Sequence, residues 1–349
     1  MGEWTMDHRR SLRLTPDDAP DVWRGCVAWT PAGSAWRPWR LPPARLDTAF
    51  APALGRVARM AAGVRAAVRT DARKLTLEIT AADDRVSPLD VLVDGELWAR
   101  RPQHAGSNVH RVRLPAGTKD VEVWLPQFGE ITVGPLTLDG TLEPPAAPEP
   151  RPRWITYGSS ITHCDTAPGP SETWPALVAR ALGWDLTCLG VAGQCHLDTV
   201  AAQTIAEAEA DLVSLCLGIN VYGAASYGPR TLPGRVAAFV GAIRERHPRT
   251  PLAVISPIVS PAREDKPNAA GMTLADVRDT VASVARALQR LGDRHLQVID
   301  GRTVLGARDA GLLPDGLHPG PEGYRLMAER LTGPLREAAA DRPGAAVPG

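Results

Sequence analysis

The 349-residue chain has no excess of charge of either sign, because 39 lysines and arginines balance 39 aspartates and glutamates. A balanced chain without a basic run offers no footprint for a phosphate backbone, so we expect no nucleic acid partner. No segment approaches the roughly 18 uninterrupted apolar residues of a membrane span, so we expect no membrane association. Residues 1–20 are polar and charged, which argues against a secretory signal and predicts a cytoplasmic protein.

Cysteine is scarce and present in an odd number. Five cysteines are spaced in a way that fits neither paired Cys-x-x-Cys metal sites nor a disulfide framework. We therefore expect reduced thiols that are mostly packed inside the protein. They are Cys26, Cys164, Cys188, Cys195 and Cys216.

The first part of the chain, residues 1–143, has the alternation of β-strands. Leu75, Leu77 and Ile79 point to one side while their polar neighbours point to the other. Because the chain is longer than one hydrophobic core usually supports, two domains are expected, and this first one is predicted to be an all-β sandwich of jelly-roll type. Predicted strands flank a tight Asp94-Gly95 hairpin turn and include residues 111–114 and 131–138.

A proline-dense stretch at residues 144–152 can neither donate a ladder of hydrogen bonds nor continue a helix, so we place the domain boundary there as a linker. Residues 153–338 then alternate apolar strands with helical periods, which predicts an α/β domain with a doubly wound parallel sheet. The tail, residues 339–349, is rich in proline and glycine and is expected to be disordered. Predicted strands are 154–157, 186–191, 212–217, 252–255 and 296–299, and the clearest helix begins at the capping pair Thr273 and Asp276 and stops at Gly292.

Polar residues follow the predicted strands at the sheet edge where such proteins bind ligands. Ser160 follows the first strand in a sharp strand-to-helix turn, which would raise its hydroxyl to that edge. Gly193 follows the second strand and Asn220 the third, and a loop N–H and a side-chain amide are suitable donors to a developing oxyanion. Taken singly, each residue also fits an ordinary role, as an N-cap serine, a turn glycine or a loop-capping amide.

Asp315 and His318 stand three residues apart near the end of the chain, so in one turn of helix they would face the same side. His318 could then take the proton from Ser160 while Asp315 fixes the tautomer of the imidazole. His163 is a rival base without an evident carboxylate partner, and we favour a supporting or substrate-contacting role for it. A metal site at these residues would need further ligands at suitable spacing, and the sequence shows none.

Taken in order, these residues resemble the four blocks of the SGNH, or GDSL-type, hydrolases. The blocks are Gly-x-Ser-x-Thr at Ser160, the loop glycine Gly193, Gly-x-Asn at Asn220 and Asp-x-x-His at His318. The resemblance implies the flavodoxin-like SGNH hydrolase fold, with Ser160 as nucleophile and with Asp315 and His318 completing the triad. It also implies an oxyanion hole made by the N–H groups of Ser160 and Gly193 and the amide of Asn220. It implies no metal and no organic cofactor.

The resemblance covers residues 154–335 and has two departures. Ser159 stands where the family has an Asp before the nucleophile, and Val221 stands where it has an Asp after the third-block Asn. Neither position normally carries the chemistry. A Gly-Ser-Ser-Ile-Thr variant behind a β-sandwich is more similar to carbohydrate-esterase-like members and to relatives recruited as acyltransferases in natural-product tailoring.

The sequence thus predicts a serine enzyme that forms an acyl-Ser160 intermediate from a small-molecule ester or acyl thioester donor. It passes the acyl group to water or to a hydroxylated acceptor, and we favour hydrolysis slightly over transfer. One alternative is a dedicated O-acyltransferase that modifies a natural product or a sugar hydroxyl. A second alternative is a non-catalytic carbohydrate-binding protein.

Tryptophan is concentrated in the first part of the chain, where seven of the ten tryptophans precede residue 125. Exposed tryptophans on a β-sandwich stack on sugar rings or line aromatic pockets, whereas buried ones fill the core and the domain interface. We favour core filling for most of them. Trp36 and Trp39 are the two that we would place first in a substrate pocket.

Overall fold

A computed structural model describes residues 11–144 and 151–340 of the chain. The predicted linker at residues 144–152 and the predicted tail at residues 339–349 lie largely outside the described residues. Ala339 and Ala340, which we assigned to the tail, still belong to the last helix.

The first part of the chain folds into short strands with one helical insertion. The strands are β1 (Leu12–Leu14), β2 (Trp23–Arg24), β3 (Ala28–Ala32), β4 (Ala35–Trp39), β5 (Arg65–Thr70), β6 (Lys74–Ala81), β7 (Leu89–Val93), β8 (Glu96–Arg101), β9 (Gly106–Arg113), β10 (Lys119–Trp124), β11 (Ile131–Val133), β12 (Leu136–Leu138) and β13 (Leu142–Glu143). The insertion holds helices α1 (Pro43–Leu46) and α2 (Pro52–Ala58).

These strands form two antiparallel sheets. One sheet has the order β1-β12-β6-β11-β4-β3 with β9 on the other edge of β6, and the other has the order β13-β5-β10-β7-β8 with β2 beside β5. Leu75, Leu77 and Ile79 are completely buried between the sheets, while Lys74 and Glu78 on the opposite side of β6 are exposed. The predicted all-β sandwich is therefore confirmed, because the alternation along each strand gives one apolar face to the core.

Two local predictions for this domain need correction. The single strand predicted at 131–138 is two strands, β11 and β12, because Gly134-Pro135 interrupts it and proline cannot donate to a ladder. Helices α1 and α2 were not predicted. Both have a proline in the first helical turn, where the missing N–H costs nothing, so these prolines begin helices.

The second part of the chain alternates strands and helices as predicted. Its strands are β14 (Arg153–Gly158), β15 (Asp185–Gly190), β16 (Leu212–Cys216), β17 (Leu252–Ile255) and β18 (Leu296–Ile299). Its helices are α3 (Ser160–His163), α4 (Trp174–Leu182), α5 (Thr199–Glu207), α6 (Ile219–Ala224), α7 (Leu232–Arg244), α8 (Leu274–Arg290), α9 (Gly301–Val304) and α10 (Pro321–Ala340).

The five strands form one parallel sheet in the order β15-β14-β16-β17-β18. This is the doubly wound, flavodoxin-like order, which confirms the predicted fold class. The predicted capping pair of α8 is also present, since the Thr273 hydroxyl accepts from the Asp276 N–H and the Asp276 carboxylate accepts from the Thr273 N–H. The polar residues that follow β14, β15 and β16 lie at the carboxyl edge of this sheet.

Aromatic side chains pack on both faces of the parallel sheet. On one face the ring of Tyr157 stacks on Phe239 from α7, with ring centroids 5.2 Å apart. On the other face Trp154 packs against Trp174 and Trp184, each with a centroid distance of 5.8 Å. Helices therefore cover both faces, as buried parallel strands require.

The two domains share these apolar cores. Leu41, Leu54 and Val57 from the helical insertion pack into the core on the Tyr157 face, and Leu92 and Trp124 from the sandwich pack into the core on the opposite face. Such contacts fix the sandwich against the α/β domain, because buried apolar surface opposes separation of the domains.

A polar network also joins the domains. The completely buried Asp90 carboxylate of β7 accepts two hydrogen bonds from Arg100, at 2.7 and 2.9 Å, and one from the Ser171 hydroxyl, at 2.7 Å. Arg100 also pairs with Glu172 at 2.6 Å, and its bond to Asp90 raises the pKa of Arg100. The buried carboxylate is thus fully paired across the interface, as burial of a charge demands.

Within the described ranges, none of the helices combines the length and the apolar character needed to cross a membrane. All five cysteines are free, and Cys164, Cys188 and Cys195 are buried, as expected. Burial raises the pKa of the Cys26 and Cys216 thiols to about 12 in each case, which keeps them protonated and unreactive.

Candidate active site

Ser160 stands at the first position of α3, directly after β14. A Cβ on Gly158 would lie 2.2 Å from the Thr162 hydroxyl oxygen, so only glycine lets the chain turn this sharply from strand to helix. The Ser159 hydroxyl accepts a hydrogen bond from the Ile161 N–H at 3.2 Å and so caps the helix. Ser159, which departs from the resembling family's Asp, therefore supports the turn.

Ser160, His318 and Asp315 form a continuous hydrogen-bonded chain. The Ser160 Oγ lies 2.8 Å from His318 Nε2, and His318 Nδ1 lies 2.6 Å from Asp315 Oδ2. A carboxylate only accepts, so Nδ1 carries the hydrogen and Nε2 is the atom able to receive the serine proton. The structure thus brings together the three side chains that the sequence singled out.

The segment that carries Asp315 and His318 is a turn, so the predicted helical turn is wrong. Asp315 Oδ1 accepts from the Leu317 N–H at 2.9 Å and the His318 N–H at 2.7 Å, and Gly316 has a φ of +72°. An aspartate that bonds the following N–H groups stabilises a turn in place of a helix. Burial alone would raise the pKa of Asp315, but hydrogen bonds from the His318 ring and these N–H groups outweigh it and lower that pKa to about 2.

Gly193 and Asn220 lie near the hydrogen-bonded side chains of Ser160, His318 and Asp315. Gly193 follows β15 with a φ of +69°, which favours glycine, and Asn220 lies in the first turn of α6. Asn220 Oδ1 accepts from the Cys195 N–H at 3.0 Å, which leaves its Nδ2 on the opposite side. Among the described residues, the N–H groups of Ser160 and Gly193 and the Asn220 Nδ2 have no acceptor. Three unused donors thus border the cleft at Ser160, an arrangement that can stabilise an oxyanion.

These residues open into a cleft of about 630 Å³ between the two domains. The second domain contributes Ser160, Gly193, Asn220 and His318 to its walls, and the first domain contributes Arg56, Met60, Arg85 and Phe128. The sandwich therefore forms one wall of the site. No group of three or more His, Cys, Asp or Glu side chains within residues 11–144 and 151–340 is arranged to hold a metal ion.

His163 does not reach this cleft, and the expectation of a substrate contact is wrong. Its ring is completely buried; Nε2–H donates to the Gln127 carbonyl at 2.6 Å, and Nδ1 accepts from the Ala192 N–H at 3.4 Å. Burial, together with the nearby charge of Arg40, lowers the pKa of His163 to about 3. A neutral ring with both nitrogens occupied cannot act as base, and it instead ties the sandwich to the loop that carries Gly193.

Trp36 and Trp39 do not line the cleft either, so this expectation is also wrong. The Trp36 indole donates to Asp17 Oδ2 at 2.7 Å, and the Trp39 indole donates to the Thr30 hydroxyl at 2.8 Å. The guanidinium of Arg59 lies over the Trp39 ring, 5.4 Å from its centroid. Both indoles serve the packing of the first domain.

Arg40 is a site-supporting residue that the sequence did not reveal. It is completely buried, and it donates to the Gly190 carbonyl at 2.5 Å and the Cys188 carbonyl at 3.1 Å, both near the end of β15. It also donates to the carbonyls of Met60 and Val57 in the first domain. Burial lowers the pKa of Arg40 to about 10, so it stays charged at neutral pH. An arginine that follows a strand carries no local signal of such burial.

The end of β15 in turn packs on α3, the helix that begins at Ser160. A Cβ on Gly190 would lie 2.5 Å from the backbone nitrogen of His163 and 2.7 Å from the Thr162 carbonyl carbon. Glycine at this position therefore allows β15 and α3 to approach closely. Arg40 holds the strand end against which the Ser160 helix rests.

Comparisons with known proteins agree with this geometry. A family model described as the GDSL-like Lipase/Acylhydrolase family matches residues 156–326, and a model described as the SsfX3 N-terminal domain matches residues 22–133. The salicylyl-acyltransferase SsfX3 from a tetracycline biosynthetic pathway is 34% identical, with a TM-score of 0.84 over 92% of this chain and 95% of that chain. A search among curated protein sequences found no match.

Two more distant structures share the fold. A putative GDSL-like lipase from Bacteroides ovatus is 18% identical, with a TM-score of 0.77 over 94% of this chain and 98% of that one. A family two carbohydrate esterase from Clostridium thermocellum, in complex with cellohexaose, is 16% identical, with a TM-score of 0.62 over 81% and 94% of the two chains.

The chain belongs to the GDSL-like lipase/acylhydrolase family. It is a serine esterase or acyltransferase that acts on small-molecule acyl donors and acceptors.

Proposed function

We propose that this enzyme is an O-acyltransferase that moves an acyl group from a small-molecule thioester to a hydroxyl of a natural product. The observation that supports transfer most directly is the likeness to the salicylyl-acyltransferase, which is 34% identical and extends over both domains. Because the first domain forms a wall of the cleft, similarity to the salicylyl-acyltransferase in that domain bears on the substrates as well as on the fold. We place the reaction in the cytoplasm, the location that the sequence predicts.

In the first step of the proposed mechanism, Ser160 attacks the carbonyl carbon of the donor. His318 Nε2, 2.8 Å from the Ser160 Oγ, takes the serine proton, and Asp315 stabilises the imidazolium that forms. The negative oxygen of the intermediate accepts hydrogen bonds from the N–H groups of Ser160 and Gly193 and from the Asn220 amide. The carbon–sulfur bond then breaks, His318 returns the proton to the departing thiolate, and the acyl group remains on Ser160.

In the second step, a hydroxyl of the acceptor takes the place of the departed thiol. His318 removes the proton of that hydroxyl as its oxygen attacks the acyl carbon, and the same three donors bind the oxyanion. Collapse releases the new ester, and His318 returns the proton to the Ser160 oxygen. No step needs a metal or an organic cofactor. Water in place of the acceptor would give hydrolysis, so the outcome depends on which molecule occupies the cleft.

The cleft suits a polar acceptor. Its volume of about 630 Å³ is within the range of about 300–1,000 Å³ that small-molecule sites usually have. The Arg85 guanidinium lies over the Phe128 ring at 5.9 Å from its centroid, and Asp83 and Asp165 add carboxylates to the same walls. Charges of both signs around an aromatic ring favour an acceptor that has a ring and several hydroxyl groups. They disfavour an acceptor that carries one strong charge.

The proposal can be tested by intact-protein mass spectrometry. Wild type and Ser160→Ala are each incubated with a panel of acyl thioesters and small esters, and Ser107→Ala, an exposed serine of β9, is the matched control. We expect an acyl adduct on wild type and on the control but not on Ser160→Ala. Addition of polyhydroxylated aromatic acceptors should then discharge the adduct faster than water does.

Two results would count against the proposal. An adduct that only water discharges, across the acceptor panel, would indicate a hydrolase with the same nucleophile. An adduct that persists on Ser160→Ala, or its absence from wild type with every donor and with a fluorophosphonate, would remove Ser160 from the mechanism.

A further inference from the structure

The loop between β15 and α5 holds a histidine beside Gly193. His196 Nε2 lies 3.1 Å from the Gly193 carbonyl oxygen, and His196 Nδ1 lies 2.7 Å from the Ser226 Oγ. A carbonyl oxygen only accepts, so Nε2–H donates to Gly193, while Nδ1 and the Ser226 hydroxyl share a hydrogen bond. Both ring nitrogens therefore have defined partners.

The backbone of His196 is held as well. Its carbonyl accepts from the Tyr227 hydroxyl at 3.0 Å, and its N–H donates to the Gln194 carbonyl at 3.0 Å. Ser226 and Tyr227 follow directly on α6, where Ala225 reverses the chain with a φ of +51°. Three contacts thus place the His196 ring beside Gly193.

Helix α6 binds the loop at two points. At its start, Asn220 Oδ1 accepts from the Cys195 N–H at 3.0 Å, and beyond its end Ser226 binds His196. The same short helix therefore carries one proposed oxyanion donor, Asn220, and holds the loop that carries another, Gly193. The distance between the two donors is set by these contacts.

Gly193 needs such support. Its φ of +69° favours glycine, a Cβ built on it would meet nothing within 4 Å, and the residue is exposed to solvent. An unpacked glycine has more backbone freedom than any other residue, whereas an oxyanion donor stabilises a transition state only when it is already oriented. The Gly193 carbonyl is held by His196 and by the Gln194 side-chain amide at 3.0 Å.

We propose that His196, supported by Ser226, is a positioning residue for the oxyanion hole: it holds the Gly193 carbonyl so that the Gly193 N–H stays directed at the reacting oxygen. This inference rests on the proposed role of Gly193. His196 itself is not part of the cleft wall, and its Nδ1 is occupied, so it acts through Gly193 and not on the substrate.

The test compares His196→Phe, His196→Gln and Ser226→Ala with wild type in the hydrolysis of a chromogenic ester, a reaction that requires no acceptor. Thr231→Ala is the matched control, because its hydroxyl bonds only Gly228, in the chain that follows Tyr227. We expect kcat to fall about 10- to 100-fold for His196→Phe, with KM unchanged. This loss is smaller than the one expected when an oxyanion donor is removed altogether. His196→Gln, whose amide can donate to the Gly193 carbonyl, should recover part of kcat.

A second measurement separates positioning from folding. A boronic acid forms a tetrahedral adduct with a serine nucleophile, so its affinity should fall by about the same factor as kcat, while KM and the thermal midpoint of Ser226→Ala stay near those of wild type. We expect Ser226→Ala to lower kcat about threefold, because it removes only the support of the ring.

Values of kcat and boronate affinity within twofold of wild type for both His196→Phe and Ser226→Ala would overturn the inference, and so would equal losses in Thr231→Ala. Should His196→Phe fail to fold, Ser226→Ala alone decides. Ser160→Ala is assayed in parallel to distinguish this failure from failure of the proposed function. Activity retained by Ser160→Ala would show that Ser160 is not the nucleophile.

Discussion

The guanidinium of Arg40, from the first domain, donates a 2.5 Å hydrogen bond to the carbonyl of Gly190, at the end of the strand that precedes the Gly193 loop. The bond lies in the interior, and the side chain is 0% exposed. This buried cation makes four hydrogen bonds to carbonyls, two in each domain, and pairs with no carboxylate among the described residues, so it is fully stabilised only while both domains are in place. The sandwich is therefore part of the structure that holds Ser160 in place.

Arg40→Met is expected to lower the free energy of unfolding by about 3 kcal/mol, because it leaves several buried carbonyls without donors. Arg37→Met, three residues earlier in β4, is the matched control, since the Arg37 side chain has no hydrogen bond or ion pair with any described residue. Urea unfolding of both variants measures the difference. Equal losses in the two variants would show that the buried hydrogen bonds of Arg40 contribute little.

Asp315→Asn is expected to lower kcat about 10³- to 10⁴-fold, because an amide in place of the carboxylate no longer stabilises the imidazolium and permits the wrong tautomer. The two N–H bonds to Oδ1 can persist, so the turn should remain folded. Steady-state hydrolysis of a small ester gives kcat, and Asp309→Asn, whose partner Arg330 lies outside the cleft, is the control. A loss smaller than tenfold would remove Asp315 from the mechanism.

Asn220 offers a test that separates donor from acceptor. Asn220→Asp keeps an oxygen that can accept from the Cys195 N–H, but it replaces the Nδ2 donor by a second carboxylate oxygen. We expect kcat to fall about 10²- to 10³-fold in both Asn220→Asp and Asn220→Ala, with KM little changed. Should Asn220→Asp retain kcat within tenfold of wild type, Asn220 would serve the loop alone and not the oxyanion.

The buried ring of His163 should make the free energy of unfolding depend on pH. Its pKa is about 3 in the folded protein and 6.5 when unperturbed, so between these values the unfolded chain binds the extra proton. Its contribution to stability is therefore complete above pH 6.5 and falls as the pH is lowered toward 3, by up to about 1.4 kcal/mol per pH unit.

His163→Gln should flatten that part of the profile, since glutamine can donate to the Gln127 carbonyl and accept from the Ala192 N–H without titrating. Urea unfolding of wild type and variant at intervals between pH 6.5 and 4 measures the two slopes. Parallel slopes would contradict the assignment of a buried neutral imidazole.

The local pattern of the chain was sufficient for most of the fold. The parallel strands were predicted because each is a short apolar run, and the sandwich because Leu75, Leu77 and Ile79 alternate with polar residues. The meeting of Ser160, Gly193 and Asn220 followed from topology, since residues after parallel strands gather at one edge. The pairing of Asp315 with His318 was also predicted, although the turn that brings them together was mistaken for a helix.

The burial of particular side chains was decided by tertiary structure alone. Arg40 and His163 are polar residues whose sequence neighbours give no sign of their burial, and packing of the sandwich against the α/β domain removes them from water. Packing within the first domain gave the indoles of Trp36 and Trp39 partners away from the cleft. Strand and helix periods are encoded in neighbouring residues, whereas burial depends on segments far apart in the chain that meet only when both domains are folded.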